Sequence, residues 1–217
     1  MPGSSVRFTT SSTAPPRPMP GVHNAAGRDG TGRLPTVKIG IVIGSIREGR
    51  KGELVAKWVE QAFATREGVS VEILDLKEFQ VPLLTSETVP AAANRNYDSP
   101  EVTRWSQAVD ACDGFVFVTP EYNHGVPGPF KNALDSIGPE WVGKSVAFVA
   151  YGADGGVRAV EQWRQIVANF QMWDVRAQVS LSLFADFDQQ GLAPQARRDG
   201  ELATLVDQLV DITTRLA

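Results

Sequence analysis

The chain has 217 residues, 42% hydrophobic and 21% charged, which suits one globular domain with a real core. Its net charge of −4 argues against general nucleic-acid binding, and no apolar run approaches the ~20 residues of a membrane-spanning helix. The single cysteine, Cys112, excludes an intramolecular disulfide, and with two histidines, His23 and His124, a closed structural zinc site is not available.

Residues 1–36 hold six prolines, five glycines and nine Ser/Thr, with four arginines against one acid. Such a segment buries too little apolar surface to offset its ordering entropy, and it reads as a disordered tail or as sequence ahead of a misplaced start. The remainder carries 17 basic and 24 acidic residues, so any phosphate site there must be built from a few local groups. The beginning of the chain lacks the short apolar core of a secretory signal, which makes the cytoplasm the expected location.

From Val37 the pattern changes. Val37–Ile43 is a β-branched run expected of a strand buried on both faces. A glycine-bearing loop, 44–52, leads to Leu54, Val55, Trp58, Val59, Ala62 and Phe63 at helical spacing. Val69–Leu74 reads as a second strand, and 76–98, with Pro82 and Pro90, as irregular. Val102, Trp105 and Val109 mark a helix and Phe115–Val118 a third strand. Next come a helix over 129–137, a strand at Ser145–Ala150, a helix lined by Val160, Trp163, Val167 and Phe170, and a strand at Val175–Leu183. An apolar stripe from Leu202 to Leu216 marks the last helix. The tryptophans at 58, 105 and 163 fit helix faces and read as core, as does Cys112.

Strand and helix alternate five times, so right-handed crossovers make each strand parallel to the last. The expected fold class is α/β: a three-layer flavodoxin-like fold with a five-stranded parallel sheet in the order 2-1-3-4-5, over one domain, 37–217. In that order ligands bind beyond the C-terminal ends of strands 1 and 3.

The loop after strand 1, Gly44-Ser45-Ile46-Arg47-Glu48-Gly49-Arg50-Lys51-Gly52-Glu53, opens a helix, whose first N–H groups attract anions. Ser45 adds a hydroxyl and Arg47 a planar fork, a set suited to a phosphate monoester. It matches neither the P-loop nor the dinucleotide fingerprint, and a solvated basic turn is the competing reading. The loop after strand 3 runs Thr119-Pro120-Glu121-Tyr122-Asn123-His124-Gly125-Val126-Pro127-Gly128-Pro129. Its prolines and glycines make a stiff irregular frame that can aim backbone groups at the edge of a planar ring. Tyr122 offers an aromatic surface there, and Asn123 a donor and an acceptor.

Gly44-Ser45-Ile46-Arg47, Pro120-Glu121-Tyr122-Asn123 and Lys131-Asn132-Ala133-Leu134-Asp135, in this order and spacing over about 37–185, resemble the NADPH-dependent FMN reductase family, which includes flavin, quinone and azo-compound reductases. The resemblance implies that Ser45, Arg47 and backbone groups through Gly52 and Glu53 hold the FMN phosphate. It implies that Pro120, Glu121, Tyr122 and Asn123 line the isoalloxazine ring, with Tyr151 and Gly152 after strand 4 beside it. Relatives often carry Ser or Asn late in the phosphate loop; here Arg50, Lys51 and Gly52 stand there, and their added positive charge favours the same ligand. Glu121 is expected to be a spacer with a solvated carboxylate, and Lys131 and Asp135 to pair across a helical turn. Asn132 reads equally as a loop brace or a flavin contact, His124 as an exposed turn residue, and 152–156 equally as a turn into a helix or a close approach to the flavin or a neighbouring subunit.

The activity that the resemblance implies is that of an FMN-dependent NAD(P)H oxidoreductase. Such an enzyme passes hydride from NADPH or NADH through FMN to a small-molecule electron acceptor, with no side chain needed as acid or nucleophile. The competing class is a flavodoxin-type electron carrier without NAD(P)H oxidation of its own. The resemblance also implies a homodimer or homotetramer, with 80–98 and the helix bearing Arg158, Glu161 and Trp163 as candidate contacts.

Overall fold

The computed structural model describes residues 36–217, so the expected tail lies outside the described residues apart from Thr36. Five strands, β1 (Val37–Ile43), β2 (Val69–Asp75), β3 (Gly114–Pro120), β4 (Ser145–Gly152) and β5 (Trp173–Ser182), make one parallel sheet in the order β2-β1-β3-β4-β5. The helices are α1 (Gly52–Phe63), α2 (Leu76–Phe79), α3 (Pro100–Asp110), α4 (Gly128–Asp135), α5 (Val157–Asn169) and α6 (Arg197–Leu216). Within 76–98, irregular from the sequence, the structure forms α2 and a single 3-10 turn at Pro90–Ala92. Asp75 starts α2 by accepting from Lys77 N at 3.0 Å. A small antiparallel hairpin, β6 (Phe187–Asp188) and β7 (Gly191–Leu192), interrupts the path from β5 to α6.

Period-2 alternation on strands covered from both sides sorts the core into two chemistries. Phe115, Phe117 and Phe148 point to the side of α3, α4 and α5, where they meet Trp105, Phe130, Trp141 and Trp163. Val116, Val118 and Val149 point the other way, to Val55 and Val59 of α1 and Leu202, Leu205 and Leu209 of α6. The aromatic layer is joined edge to face, with Phe117 and Trp141 centroids 5.9 Å apart at 81°. Trp105 and Trp163 are fully buried, as expected. Each indole N–H finds an acceptor, Ala133 O at 2.8 Å and Thr119 Oγ1 at 3.1 Å. Trp58 is half-buried and leans on Asp199. The Cys112 thiol is buried, and burial pushes its pKa up to about 11, far from a reactive thiolate.

This arrangement sets the C-terminal ends of β1, β3 and β4 side by side. Register pairs Ile43 with both Asp75 and Val118, and Pro120 with Tyr151. The two loops singled out in the sequence therefore leave the same sheet edge next to one another.

Candidate functional site

The loop after β1 starts at Gly44, whose N–H still donates to Val118 O at 2.9 Å. A Cβ on Gly44 would strike the ring of Phe130, which is fully buried and has nowhere to go. At the far end of the loop, Leu54 N and Val55 N both bond to Lys51 O. The N–H groups just ahead of them are the orphan donors of the first turn of α1. Gly52 acts through its backbone alone: a Cβ there would meet Ile43 Cγ2 at 2.9 Å and the Tyr151 hydroxyl at 3.1 Å. Hence position 52 itself has no room for a side chain such as Ser or Asn. The Glu53 side chain is exposed and turned to Arg50.

Arg47 is exposed, its guanidinium carbon 5.7 Å from the Tyr122 ring centroid. Lys51 Nζ stands 5.6 Å from the Phe187 ring. Arg50 departs from expectation. Its charge is not offered to a ligand, because it is enclosed between Asp75 and Glu53 at 2.5 and 2.6 Å. Two carboxylates within reach of a semi-buried guanidinium hold it more firmly than an open loop can hold an anion.

The ring loop is a tight hairpin. Tyr122 and Gly125 exchange both backbone hydrogen bonds at 3.0 Å. Between them Asn123 and His124 sit at φ 49° and 65°. Two successive left-handed residues are what a two-residue hairpin of type I′ requires, and Asn tolerates that region best among non-glycine residues. Asn123 thus acts through its backbone; its side chain is exposed, and so is His124. Tyr122 folds back, its hydroxyl 2.7 Å from Ser45 Oγ, and so joins the ring loop to the phosphate loop. Ser45 is buried, as is Tyr151, whose phenol pKa is raised chiefly by burial and so stays protonated.

Glu121 corrects the sequence reading of a solvated carboxylate. Its side chain is 8% exposed and turns inward to α5, accepting from Arg158 N at 3.0 Å and Ala159 N at 3.3 Å. Arg158 Nη1 adds a charged bond at 2.6 Å. The carboxylate caps a helix whose own N-cap, Gly156, has no side chain to do so. Residues 152–156 make the turn into that helix, with Gly155 and Gly156 at positive φ. Asn132 resolves to the bracing role: Oδ1 accepts from Leu84 N and Nδ2 donates to Pro82 O. Lys131 and Asp135 pair at 2.5 Å across one turn, as expected.

Between the two loops lies a cavity of about 400 Å³. Ser45, Arg47, Pro120, Glu121, Tyr122, Tyr151 and Gly152 line it; Gly52, Glu53 and Asn123, also expected at the ligand, do not. Glu48, Gly49, Arg50 and Lys51 of the loop after β1 also border it, as do Ala153 and Leu183, the latter from the loop after β5. Sequence reasoning missed Leu183 because it stands far along the chain from both loops and reads as the end of a strand.

Residues 37–186 match the profile of the family described as NADPH-dependent FMN reductase. The chain belongs to that family. It is 37% identical over 129 residues to an NAD(P)H-dependent FMN reductase of a Nectria species, which covers 58% of this chain and 64% of that protein. It is 32% identical over 145 residues to an NAD(P)H-dependent FMN reductase of Saccharomyces cerevisiae, covering 63% of this chain and 76% of that one. Among solved structures, the flavoenzyme NAD(P)H:(acceptor) oxidoreductase of Paracoccus denitrificans shares the fold, with a TM-score of 0.64 at 19% identity over 82% of this chain and 97% of that chain. The match to the family profile ends inside the loop that follows β5. In this reductase, however, α6 lies beyond that point and still completes the aliphatic side of the core. Membership makes the chain an FMN-dependent oxidoreductase that uses NAD(P)H. The cavity beyond β1, β3 and β4 is where a flavodoxin-like sheet accepts its ligand.

Proposed function

We propose that this reductase holds FMN in the 400 Å³ cavity and passes reducing equivalents from NADPH or NADH to a small-molecule acceptor such as a flavin or a quinone. The observation that carries the reading is the convergence of an anion-binding loop and a stiff hairpin on one cavity at the sheet's switch point. The donor set fits the group. Ser45 Oγ, the Arg47 guanidinium and the first-turn N–H groups of α1 suit a phosphate dianion. Pro120, the backbone around Tyr122, Tyr151 and Gly152 suit a flat, mostly apolar ring. When bound, FMN supplies the hydride-accepting and hydride-donating chemistry. The chain's part is to anchor the phosphate and to fix the ring edge with the hairpin that Glu121 pins to α5. It also leaves one side open, so that donor and acceptor visit in turn.

Relatives named as an NAD(P)H:quinone oxidoreductase of Solanum tuberosum and an NADPH azoreductase of a Bacillus species support a range of small acceptors. The reductase domain is taken as 37–217. An acidic body, and the lack among the described residues of any helix long and apolar enough to cross a membrane, support a cytoplasmic protein with no nucleic-acid or membrane partner. Anaerobic addition of NADPH to the purified protein tests the central reading. The bound flavin bleaches in a reductase and stays oxidised in a flavodoxin-type carrier.

The active species is proposed to be a homodimer or homotetramer. Leu83 and Val89, 77% and 66% exposed in the segment 80–98, support that surface. On α5, the other half of the expected contact, Glu161 is exposed. Trp163 is fully buried, and Arg158 is paired within the chain to Glu121 and Asp154. Sedimentation at assay concentration checks the assembly, and a fully active monomer would refute it.

A further inference from the structure

Arg50 is enclosed in a way that decides what it can do. All five of its N–H donors are used inside the chain. Nε donates to Glu53 Oε1 at 2.9 Å, Nη2 to the same oxygen at 2.6 Å and to Asp75 Oδ2 at 2.5 Å, and Nη1 to Asp75 Oδ1 at 2.6 Å and to the Ser45 carbonyl at 2.7 Å. A guanidinium has five donors and no more, so none is left for a ligand. The side chain is only 6% exposed; Arg50 borders the cavity, but with its N–H groups turned to Asp75, Glu53 and the Ser45 carbonyl.

Asp75 comes to this position from another strand. The parallel register sets it level with Ile43, the last residue of β1, directly beside the start of the loop. Its carboxylate is bidentate to Arg50 and also accepts from Lys77 N, so it is fixed from both sides.

We propose that Arg50 is a positioning residue of the phosphate loop, anchored by Asp75, and that it makes no contact with the phosphate. By holding the Ser45 carbonyl it fixes the plane of the Ser45–Ile46 peptide. The trans geometry then directs the Ile46 N–H to the opposite side. Ser45, which lines the cavity, has its backbone held by the same clamp and its hydroxyl beside that of Tyr122. Preorganised donors bind an anion better than donors that must first be ordered. The inference rests on the reading of this loop as the FMN phosphate site.

The two roles predict opposite signs for one substitution. Asp75→Asn removes a negative charge from beside the loop yet keeps an oxygen to cap α2. If net charge alone mattered, FMN would bind more tightly. If Asp75 anchors Arg50, FMN binds more weakly. Flavin-fluorescence titrations with FMN and with riboflavin, which lacks the phosphate, read the difference. Asp75→Asn and Arg50→Lys are each expected to weaken FMN about tenfold and to move riboflavin less than about twofold. Lysine keeps the charge but cannot reach three acceptors with a planar fork. Unchanged or tighter FMN binding in Asp75→Asn overturns the proposal, and so do equal losses for both flavins, which would signal a general loosening. Arg47→Ala separates the two possible failures. An FMN preference that falls in Arg47→Ala but not in Asp75→Asn removes the positioning role alone. A preference unmoved in both removes the phosphate site itself.

Discussion

Two arginines three residues apart are held differently in the loop after β1. Arg47 stands exposed beside the Tyr122 ring, whereas every donor of Arg50 is engaged by the protein. Of these two arginines the one proposed to meet the phosphate is therefore Arg47, and Arg47→Ala should weaken FMN by about 1.5–3 kcal/mol, the range for a hydrogen bond to a charged group. Riboflavin should change much less, and equal losses by fluorescence titration would refute the assignment. Glu121 acts at the same scale but on the fold. Glu121→Ala removes the cap of α5 and leaves Arg158 with Asp154 alone. A loss of about 1–2 kcal/mol in urea unfolding is expected, the usual cost of a missing cap. Binding of both flavins should weaken together, because the hairpin loses one of its ties to the helix and keeps only those that Gln162 makes to His124 O and Val126 N. The chemistry of these residue types was legible in the sequence. Which of two arginines meets the ligand was not, because Asp75 stands 25 positions away on a neighbouring strand.

At the scale of elements, the loop between β5 and α6 must be held for Leu183 to stay in the cavity wall. Asp186, fully buried, does this: it accepts from Ser182 N at 2.8 Å, from Gln195 N at 3.0 Å and from Arg198. Burial alone would raise its pKa. The Arg198 bond and the backbone donors outweigh that, and the net value lies below the ordinary 3.8. A carboxylate held lower in the folded than in the unfolded state gives stability that is complete above its unfolded value. That stability is lost as pH falls through the folded value. Asp186→Asn should therefore lower stability by about 3 kcal/mol near neutrality, the scale for breaking a buried ion pair. The gap from wild type should shrink as pH drops below 3.8, which urea melts across that range would show. A gap constant with pH would mean that the charge of Asp186 is not what matters. The existence and order of the major elements could be read from the sequence, because buried parallel strands and amphipathic helices write their periods locally. The short elements α2, β6 and β7 could not: four-residue and two-residue pieces have no period to read, and they exist because Asp75, Asp188 and Asp186 bind nearby backbone N–H groups.

For the whole molecule, residues 37–217 are proposed as the reductase, with the preceding segment unnecessary for flavin chemistry. A chain starting near Leu34 should keep the flavin spectrum, the thermal midpoint and the NADPH-driven bleaching of the full protein; loss of FMN would show that the early residues cover the cavity. The sequence by itself determined the succession of strands and helices, the two loops after strands 1 and 3 and the phosphate-plus-ring character of those loops. Each rests on local hydrophobic periodicity, turn chemistry or the residue types within one loop. Only the tertiary structure decided that Glu121 caps a helix, that Asn123 serves a left-handed turn, that Arg50 is neutralised and that Leu183 closes the cavity. Each of these is settled by its three-dimensional setting. Parallel crossovers bring together residues from distant parts of the chain, and a charge meets its partner according to strand register, which no single loop encodes.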